Sequence, residues 1–502
     1  MNKILIVKYL LLTIIIIIAS FLRLYNIAEL PPGLYPDEAM NGNNALEALS
    51  PDGHFKWFYP ENNGREGLFI NIQALSIYIF GNEPWALRGV SAIFGILTVL
   101  SIYLLTKELF SYEITKLYEN TKIKIALLSS FFLAVSFWHI NFSRIGFRAI
   151  MAPFFITFAL YFLFRALNKN YSLGSGMLAG LFFGLGFHSY IAFRGLPILI
   201  LIIFAIDWFK NPSRRKSLVK IFIWAAAIFL IAFAPLSYYF IENPKDFMGR
   251  TAQVSIFSSP APLKDLTLNI IKTAGMFNFS GDYNWRHNYA SKPELLLPVG
   301  ILFLTGIILG IIKFFTNNSN EKKLFGILFA WLSAAALPVV VSNEGLPHAL
   351  RAILMAPAIF ILAGFGGVWI YNLIKNLAII NDSKIKLIIL NVSAAIFLTF
   401  LIFEAYHTYF IKWGKGEHTA GAFNQNYVDI GRELNALPKE LPKYVVVETG
   451  GVLVRGIPMP AQTVMFITDT FTPEKQKEKN IYYVLPEQKN QIPENGYTVI
   501  IK

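Results

Sequence analysis

The chain has 502 residues, of which 55% are hydrophobic and only 15% charged, with 45 Phe and no Cys. Soluble domains carry about 25% charged residues, so this composition places the chain in the membrane class; the missing Cys excludes disulfide frameworks, thiolate metal sites and thiol nucleophiles. The net charge of +13 is scattered between apolar runs rather than clustered, which fits membrane topology and argues against nucleic-acid binding.

Lys3 and Lys8 precede an apolar run from Tyr9 to Leu22. No convincing small-residue cleavage site follows, so the run reads as a retained first span rather than a signal peptide. Counting roughly 20 apolar residues per crossing gives about eleven spans, near 7–25, 86–106, 124–142, 148–167, 174–190, 193–209, 220–241, 295–315, 323–341, 350–374 and 385–406.

Residues 26–67 form the first loop, and its centre is Tyr35-Pro36-Asp37-Glu38-Ala39. Pro36 suits the first position of a helix, where its missing N–H costs nothing. Asp37 and Glu38 then fall in the first turn, where free N–H groups favour carboxylates. Ala39, Gly42, Leu46 and Leu49 recur at helical spacing, which predicts an apolar underside lying on the membrane. The run Leu68–Phe80 is short and punctuated by Asn71 and Gln73, and reads as a second interfacial helix.

Lys dominates one set of loops, with Lys107, Lys116, Lys169, Lys210, Lys322, Lys375 and Lys386 among its members. That set and the N-terminus are expected to be cytoplasmic, which leaves the C-terminal segment outside. The opposite side carries mainly Arg: Arg65, Arg88, Arg144, Arg148, Arg194, Arg250, Arg286 and Arg351. A guanidinium grips phosphate with a planar fork. Arg at a helix end can equally snorkel to lipid headgroups. The polar chemistry collects on this side, in loops 26–67 and 242–294 and at short turns, as in an interfacial enzyme more than a carrier. Loop 242–294 contains a candidate amphipathic helix around Leu266–Met276 and the run Gly281-Asp282-Tyr283-Asn284-Trp285-Arg286-His287-Asn288.

Residues 407–502 change character. Helical spacing from His418 to Leu437 is followed by candidate strands at Tyr444–Glu448, Ile481–Leu485 and Tyr497–Ile501. This predicts a small extracytoplasmic α/β domain behind a membrane domain of residues 1–406. It has no phosphate-cradling Gly loop.

Several motifs recur in a set order: Tyr35-Pro36-Asp37-Glu38-Ala39; Arg65-Glu66-Gly67-Leu68 through Phe80-Gly81; Ala86-Leu87-Arg88; His139 to Ala149, with Arg144 and Arg148; His188-Ser189-Tyr190 through Arg194; and Pro347-His348-Ala349-Leu350-Arg351. In this order and spacing, from the first span to about residue 410, the chain resembles the GT-C membrane glycosyltransferases. The likeness is to bacterial relatives of the protein O-mannosyltransferases and of the enzymes that move aminoarabinose onto lipid A. The resemblance implies an all-α polytopic membrane protein of GT-C type in the cell membrane, with outer interfacial helices and the α/β domain appended. It also implies an inverting glycosyltransferase that moves a sugar from a polyprenyl-phosphate donor to a hydroxyl or amine of a protein, lipid or glycan on the outer face.

Asp37 maps onto the family's base, and Glu38 would support it or orient the acceptor. Charge developing on the leaving phosphate calls for donors in a water-poor pocket. Arg65, Arg194 and Arg351 are the first choices, with His348 and Tyr190 as secondary donors. Tyr35, Arg144, Arg148, His188, Arg286 and His287 complete the candidate pocket. Where relatives carry His-Pro-Pro or Glu-Lys-Pro, this chain has Arg65-Glu66-Gly67. Some lipid A enzymes hold a metal between the first-loop Asp and a Glu of this motif, which makes Asp37 and Glu66 a candidate pair for a divalent ion. No other cofactor is expected. The rival functions are a transporter or flippase for an anionic lipid and a polytopic scaffold.

Overall fold

The computed structural model describes residues 3–113, 119–168, 172–253, 255–316, 318–377 and 384–502; Lys116, Lys169 and the side chain of Arg250 lie outside the described residues. Helices α1 (Lys3–Leu24), α2 (Pro36–Leu49), α3 (Gly67–Phe80), α4 (Pro84–Glu113), α5 (Glu119–Val135) and α6 (Phe137–Phe142) are followed by α7 (Met151–Leu167), α8 (Leu173–Gly186), α9 (Pro197–Lys210) and α10 (Arg215–Glu242). Then come α11 (Pro244–Gln253), α12 (Pro262–Gly275), α13 (Leu297–Phe315), α14 (Ser319–Val340), α15 (Ala356–Asn376) and α16 (Lys384–Tyr406).

Nine helical segments among the described residues are long and apolar enough to cross a membrane, so the chain is a multi-pass membrane protein. The other two of the eleven expected spans fall on α5 with α6 and on α8, which has 14 residues. The 124–142 run is broken for an identifiable reason. Arg23 donates to the last-turn carbonyls of α5, Ala134 at 2.9 Å and Leu133 at 3.3 Å, and so satisfies groups that a continuing helix would use. Ser136 then caps α6 by accepting the His139 N–H.

The bundle packs through small residues, as membrane helices do. A Cβ added at Gly180 of α8 would lie 2.1 Å from the Ala225 carbonyl of α10, and one at Gly306 of α13 would lie 2.1 Å from the Leu362 carbonyl of α15.

The last span widens into a π-helical turn, His407–Trp413. Beyond it, the expected helix 418–437 is split into Glu417–Ala422 and Gln425–Ala436 by Asn424, whose φ is +54°. Lys443–Val447 pairs in parallel with Ile481–Val484 on one edge and Tyr497–Ile501 on the other, giving a three-stranded sheet with the earliest strand at its centre. The helix Ala461–Thr468 leaves this unit to pack on α2.

That contact corrects the expectation that α2 lies on the membrane. Ala39, Met40, Gly42 and Ala45 are fully enclosed. A Cβ at Gly42 would meet the Phe466 ring at 2.4 Å. Asn43 donates to the Gln462 carbonyl at 3.0 Å, Thr463 donates to the Leu34 carbonyl at 2.9 Å, and the Gly33 N–H donates to Gln425 at 2.5 Å. The apolar underside of α2 is met by protein.

Candidate active site

Asp37 enters the second helical position of α2 behind Pro36 and is half-buried. Its Oδ1 accepts a 2.7 Å hydrogen bond from Asn62. The carboxylate faces a cavity of about 950 Å³. Of the predicted residues, Arg65, Arg148, Tyr190, Arg194, Arg286, His287, His348 and Arg351 line the same cavity. The remaining wall is largely apolar and includes Phe147, Ile191, Phe247, Phe257, Leu337 and Pro338. Two carboxylates, Asp37 and Glu344, five guanidiniums and a greasy wall therefore share one space.

Glu38 points the other way and is fully buried. Its carboxylate accepts from Arg88 Nε at 3.0 Å and Nη2 at 3.2 Å, from the Gly146 N–H at 2.6 Å and from the Tyr35 N–H at 3.3 Å. Arg88 also donates to the Pro31 and Gly33 carbonyls. Successive residues of a helix point about 100° apart, so only one of the two acids can face the cavity. Glu38 has no lone pair left for an acceptor, and the geometry makes it a strut.

The predicted arginines divide in the same manner. Arg65 is buried and donates to Asn41 at 2.7 Å, to Asn44, and to the Glu61 carbonyl at 3.3 Å. Burial lowers its pKa to about 10, so it remains charged at neutral pH. Arg144 does not line the cavity. It donates to the Leu22 and Leu30 carbonyls and is flanked by Tyr409 and Phe410. His188 likewise turns away, with Nε2 2.9 Å from the Ala232 carbonyl. Arg148 binds Glu66 at 2.8 Å, and Arg194 approaches the same carboxylate at 3.7 Å while donating to the Phe247 carbonyl. Arg351 is paired with Ser342 and Glu344. Arg286 lies 3.5 Å over the Tyr35 ring.

Residues 68–239 match the family model described as dolichyl-phosphate-mannose-protein mannosyltransferase. No curated protein matches the chain in sequence. The structure of ArnT from Cupriavidus metallidurans bound to undecaprenyl phosphate superposes with a TM-score of 0.54 at 14% identity, over 98% of this chain and 92% of that one. The oligosaccharyltransferase of Archaeoglobus fulgidus, tethered to an acceptor peptide, superposes with a TM-score of 0.55 at 15% identity, over 96% of this chain. The chain has the GT-C fold. It spans 64% of the length of the archaeal enzyme. A second structure of that enzyme is described as a complex with Zn and sulfate, with a TM-score of 0.54 at 16% identity, over 95% of this chain and 62% of that one.

Within this GT-C frame, the candidate metal pair Asp37 and Glu66 does not fit. Glu66 is 2% exposed and is shared between two guanidiniums; a cation there would have to displace both. A better donor set lies at the edge of the cavity, where the lining residues His287 and His348 and the buried Asp282 behind them bring ligand atoms within 4.8 Å of one another. Carboxylate and imidazole suit a divalent transition metal. They serve equally as a hydrogen-bonded cluster, since His287 Nδ1 is 3.0 Å from Asp282 Oδ2. Burial lowers the pKa of both imidazoles, and for His348 the neighbouring His287, Arg351 and Arg286 lower it further.

The sequence reading passed over Asp282, Glu66 as an arginine spacer and Arg88 as the partner of Glu38. The first could have been found from its place five residues before His287, in a loop already marked by its aromatics.

Proposed function

We propose that the chain is an inverting glycosyltransferase that moves a sugar from a polyprenyl-phosphate donor to a hydroxyl on the outer face of the membrane. The observation that carries this reading is the cavity that Asp37 lines together with five guanidiniums and a largely apolar wall. Asp37 takes the proton of the acceptor hydroxyl, whose oxygen attacks the anomeric carbon from the face opposite the phosphate. The bond from anomeric carbon to phosphate oxygen breaks, and the lipid phosphate leaves with its electron pair. Guanidiniums held in a partly dehydrated cavity stabilise that charge, and no general acid is needed for so good a leaving group. The apolar wall accommodates the start of the lipid chain. The family model and the archaeal relative are described as sugar-transferring enzymes, which favours this reading over the lipid transporter.

The test is a panel of polyprenyl-phosphate sugars offered to the purified protein, reading which donor is consumed. Asp37→Asn is then compared on that donor. Transfer is expected to fall by about 10²–10⁴ with donor binding little changed. An Asp37→Asn protein that transfers at the native rate would overturn the assignment, and consumption of no donor would overturn the activity.

A further inference from the structure

Four of the five cavity arginines have their guanidiniums engaged by the protein, on Asn41 and Asn44, on Glu66, on Phe247 and Glu66, and on Ser342 and Glu344. Arg286 differs. Its Nε is buried without a hydrogen-bond partner, and its guanidinium donates to no described residue while its central carbon lies 3.5 Å from the centre of the Tyr35 ring.

Its backbone, by contrast, is pinned on both sides. The Arg286 N–H donates to Asn284 Oδ1 at 2.9 Å, and its carbonyl accepts from Asn141 at 2.9 Å. One step earlier, the Asn284 N–H donates to Asp282 Oδ1 at 2.9 Å. Two successive side-chain-to-backbone turns thus lead from Asp282 to Arg286. The second oxygen of Asp282 gathers a different segment. Oδ2 accepts from His287 Nδ1 at 3.0 Å and from the Ala349 N–H at 2.8 Å, and lies 3.9 Å from His348 Nδ1. Asp282 is 4% exposed. Its own N–H donates to Glu294 at 3.0 Å, and burial raises the Glu294 pKa well above the usual carboxylate range.

We infer that Asp282 is a positioning residue that locks loop 281–289 to turn 347–351, and that the group it sets in place is Arg286, the unengaged guanidinium that receives the donor phosphate. This rests on the donor reading above. An unengaged guanidinium held by its backbone and by an aromatic face pays little to receive an anion, whereas the other four must share or surrender existing partners. Asp282 contributes without touching the phosphate itself.

The experiment compares binding of undecaprenyl phosphate with that of undecaprenol in nanodiscs, so that the ratio of affinities reports the phosphate alone. The native protein is expected to prefer the phosphate, and Arg286→Gln to lose about tenfold or more of that preference, the worth of a charge-assisted hydrogen bond. Asp282→Ala should lose as much, while Asp282→Asn, which keeps an acceptor for only one of the two segments that Asp282 gathers, should lose less. Should Asp282→Ala fail to fold, Asn284→Ala cuts the same path at Arg286 and leaves the Asp282–His287 contact intact. A native protein without preference overturns the donor reading and this inference with it. A native preference that survives Arg286→Gln and Asn284→Ala overturns this inference alone. If Asp282→Asn is as damaging as Asp282→Ala and EDTA abolishes the native preference, Asp282 holds a metal ion and the positioning role is wrong.

Discussion

Arg88 closes on both carboxylate oxygens of Glu38, at 3.0 and 3.2 Å, with neither side chain more than 1% exposed. The pair ties the first turn of α2 to the start of α4, and the Gly146 N–H adds the turn before α7. Removing one partner of a buried pair leaves the other charge uncompensated. Glu38→Ala is therefore expected to cost about 3–5 kcal/mol, whereas replacing both partners by apolar residues removes the uncompensated charge but strands the Gly146 N–H and the Pro31 and Gly33 carbonyls, and so restores only part of it. Thermal unfolding in detergent checks this, with Glu38→Leu/Arg88→Leu as the double variant. A Glu38→Gln protein with native stability and a selective loss of transfer rate would show that Glu38 acts on substrate instead.

Glu66 spaces Arg148 and Arg194 along the cavity wall. Replacing it by Gln leaves two guanidiniums facing each other without a countercharge. Stability should fall by roughly 1–3 kcal/mol, and added Mg²⁺ or Mn²⁺ should not alter the loss. Transfer by the native protein that requires a divalent ion, and in Glu66→Gln requires far more of it, would return Glu66 to the role of metal ligand.

The membrane segments could be read from the sequence because lipid imposes a length and a composition on each crossing. The gathering of arginines on one side of the membrane segments was equally readable. What each arginine does was not, because a guanidinium facing a ligand and one capping carbonyls look alike in a string of letters. Arg144 is an internal tie, Arg65 lines the cavity while bonded to Asn41, and only the fold shows that among the described cavity arginines Arg286 is the one without a hydrogen-bond partner. Asp37 and Glu38 were indistinguishable for a related reason: the rotation of α2, set by Phe466 and Leu87 against Gly42, decides which acid sees the cavity.

The imidazoles predict an acid sensitivity whose sign can be worked out. Burial lowers the His287 and His348 pKa values from the unfolded value of about 6.5. Between the lowered values and about 6.5 the unfolded chain binds more protons, so stability rises with pH there and is lost as pH falls below about 6.5. Glu294 has the opposite sign: burial raises its pKa above its ordinary value of about 4.3, so its contribution is present in acid and lost as pH rises. Asp282, Arg286 and Arg351 face the two imidazoles from the surrounding segments. Unfolding measured in EDTA from pH 7 to 5 should therefore show a decline that is shallower in His348→Gln and steeper in Glu294→Gln. A decline unchanged in both variants would remove this cluster as its source.

The C-terminal unit stands apart from the cavity. Among the described residues, no cavity-lining residue comes from beyond Arg351. Its contacts fall instead on the back of α2, on the loops before and after it, and on Asn82 ahead of α4. Thr463 bonds the Leu34 carbonyl, Asn43 bonds Gln462, and Arg455 reaches Glu47 at 2.7 Å and Glu61 at 3.0 Å. Since α2 carries Asp37 at its other face, this unit should act on transfer by holding the base in register. Thr463→Val keeps the volume but leaves the buried Leu34 carbonyl unpaired, which should cost about 1–3 kcal/mol. Arg455→Ala breaks a half-exposed pair and should cost less than about 1 kcal/mol. Below the unfolding temperature, Thr463→Val should lower the turnover rate more than it changes donor affinity, because the guanidiniums that line the cavity lie outside α2. Measuring melting temperature, turnover and donor affinity on the same two variants separates the possibilities. Native turnover in Thr463→Val, despite the expected drop in melting temperature, would mean that the C-terminal unit stabilises the fold without setting Asp37. A change confined to acceptor KM would assign acceptor selection to this unit.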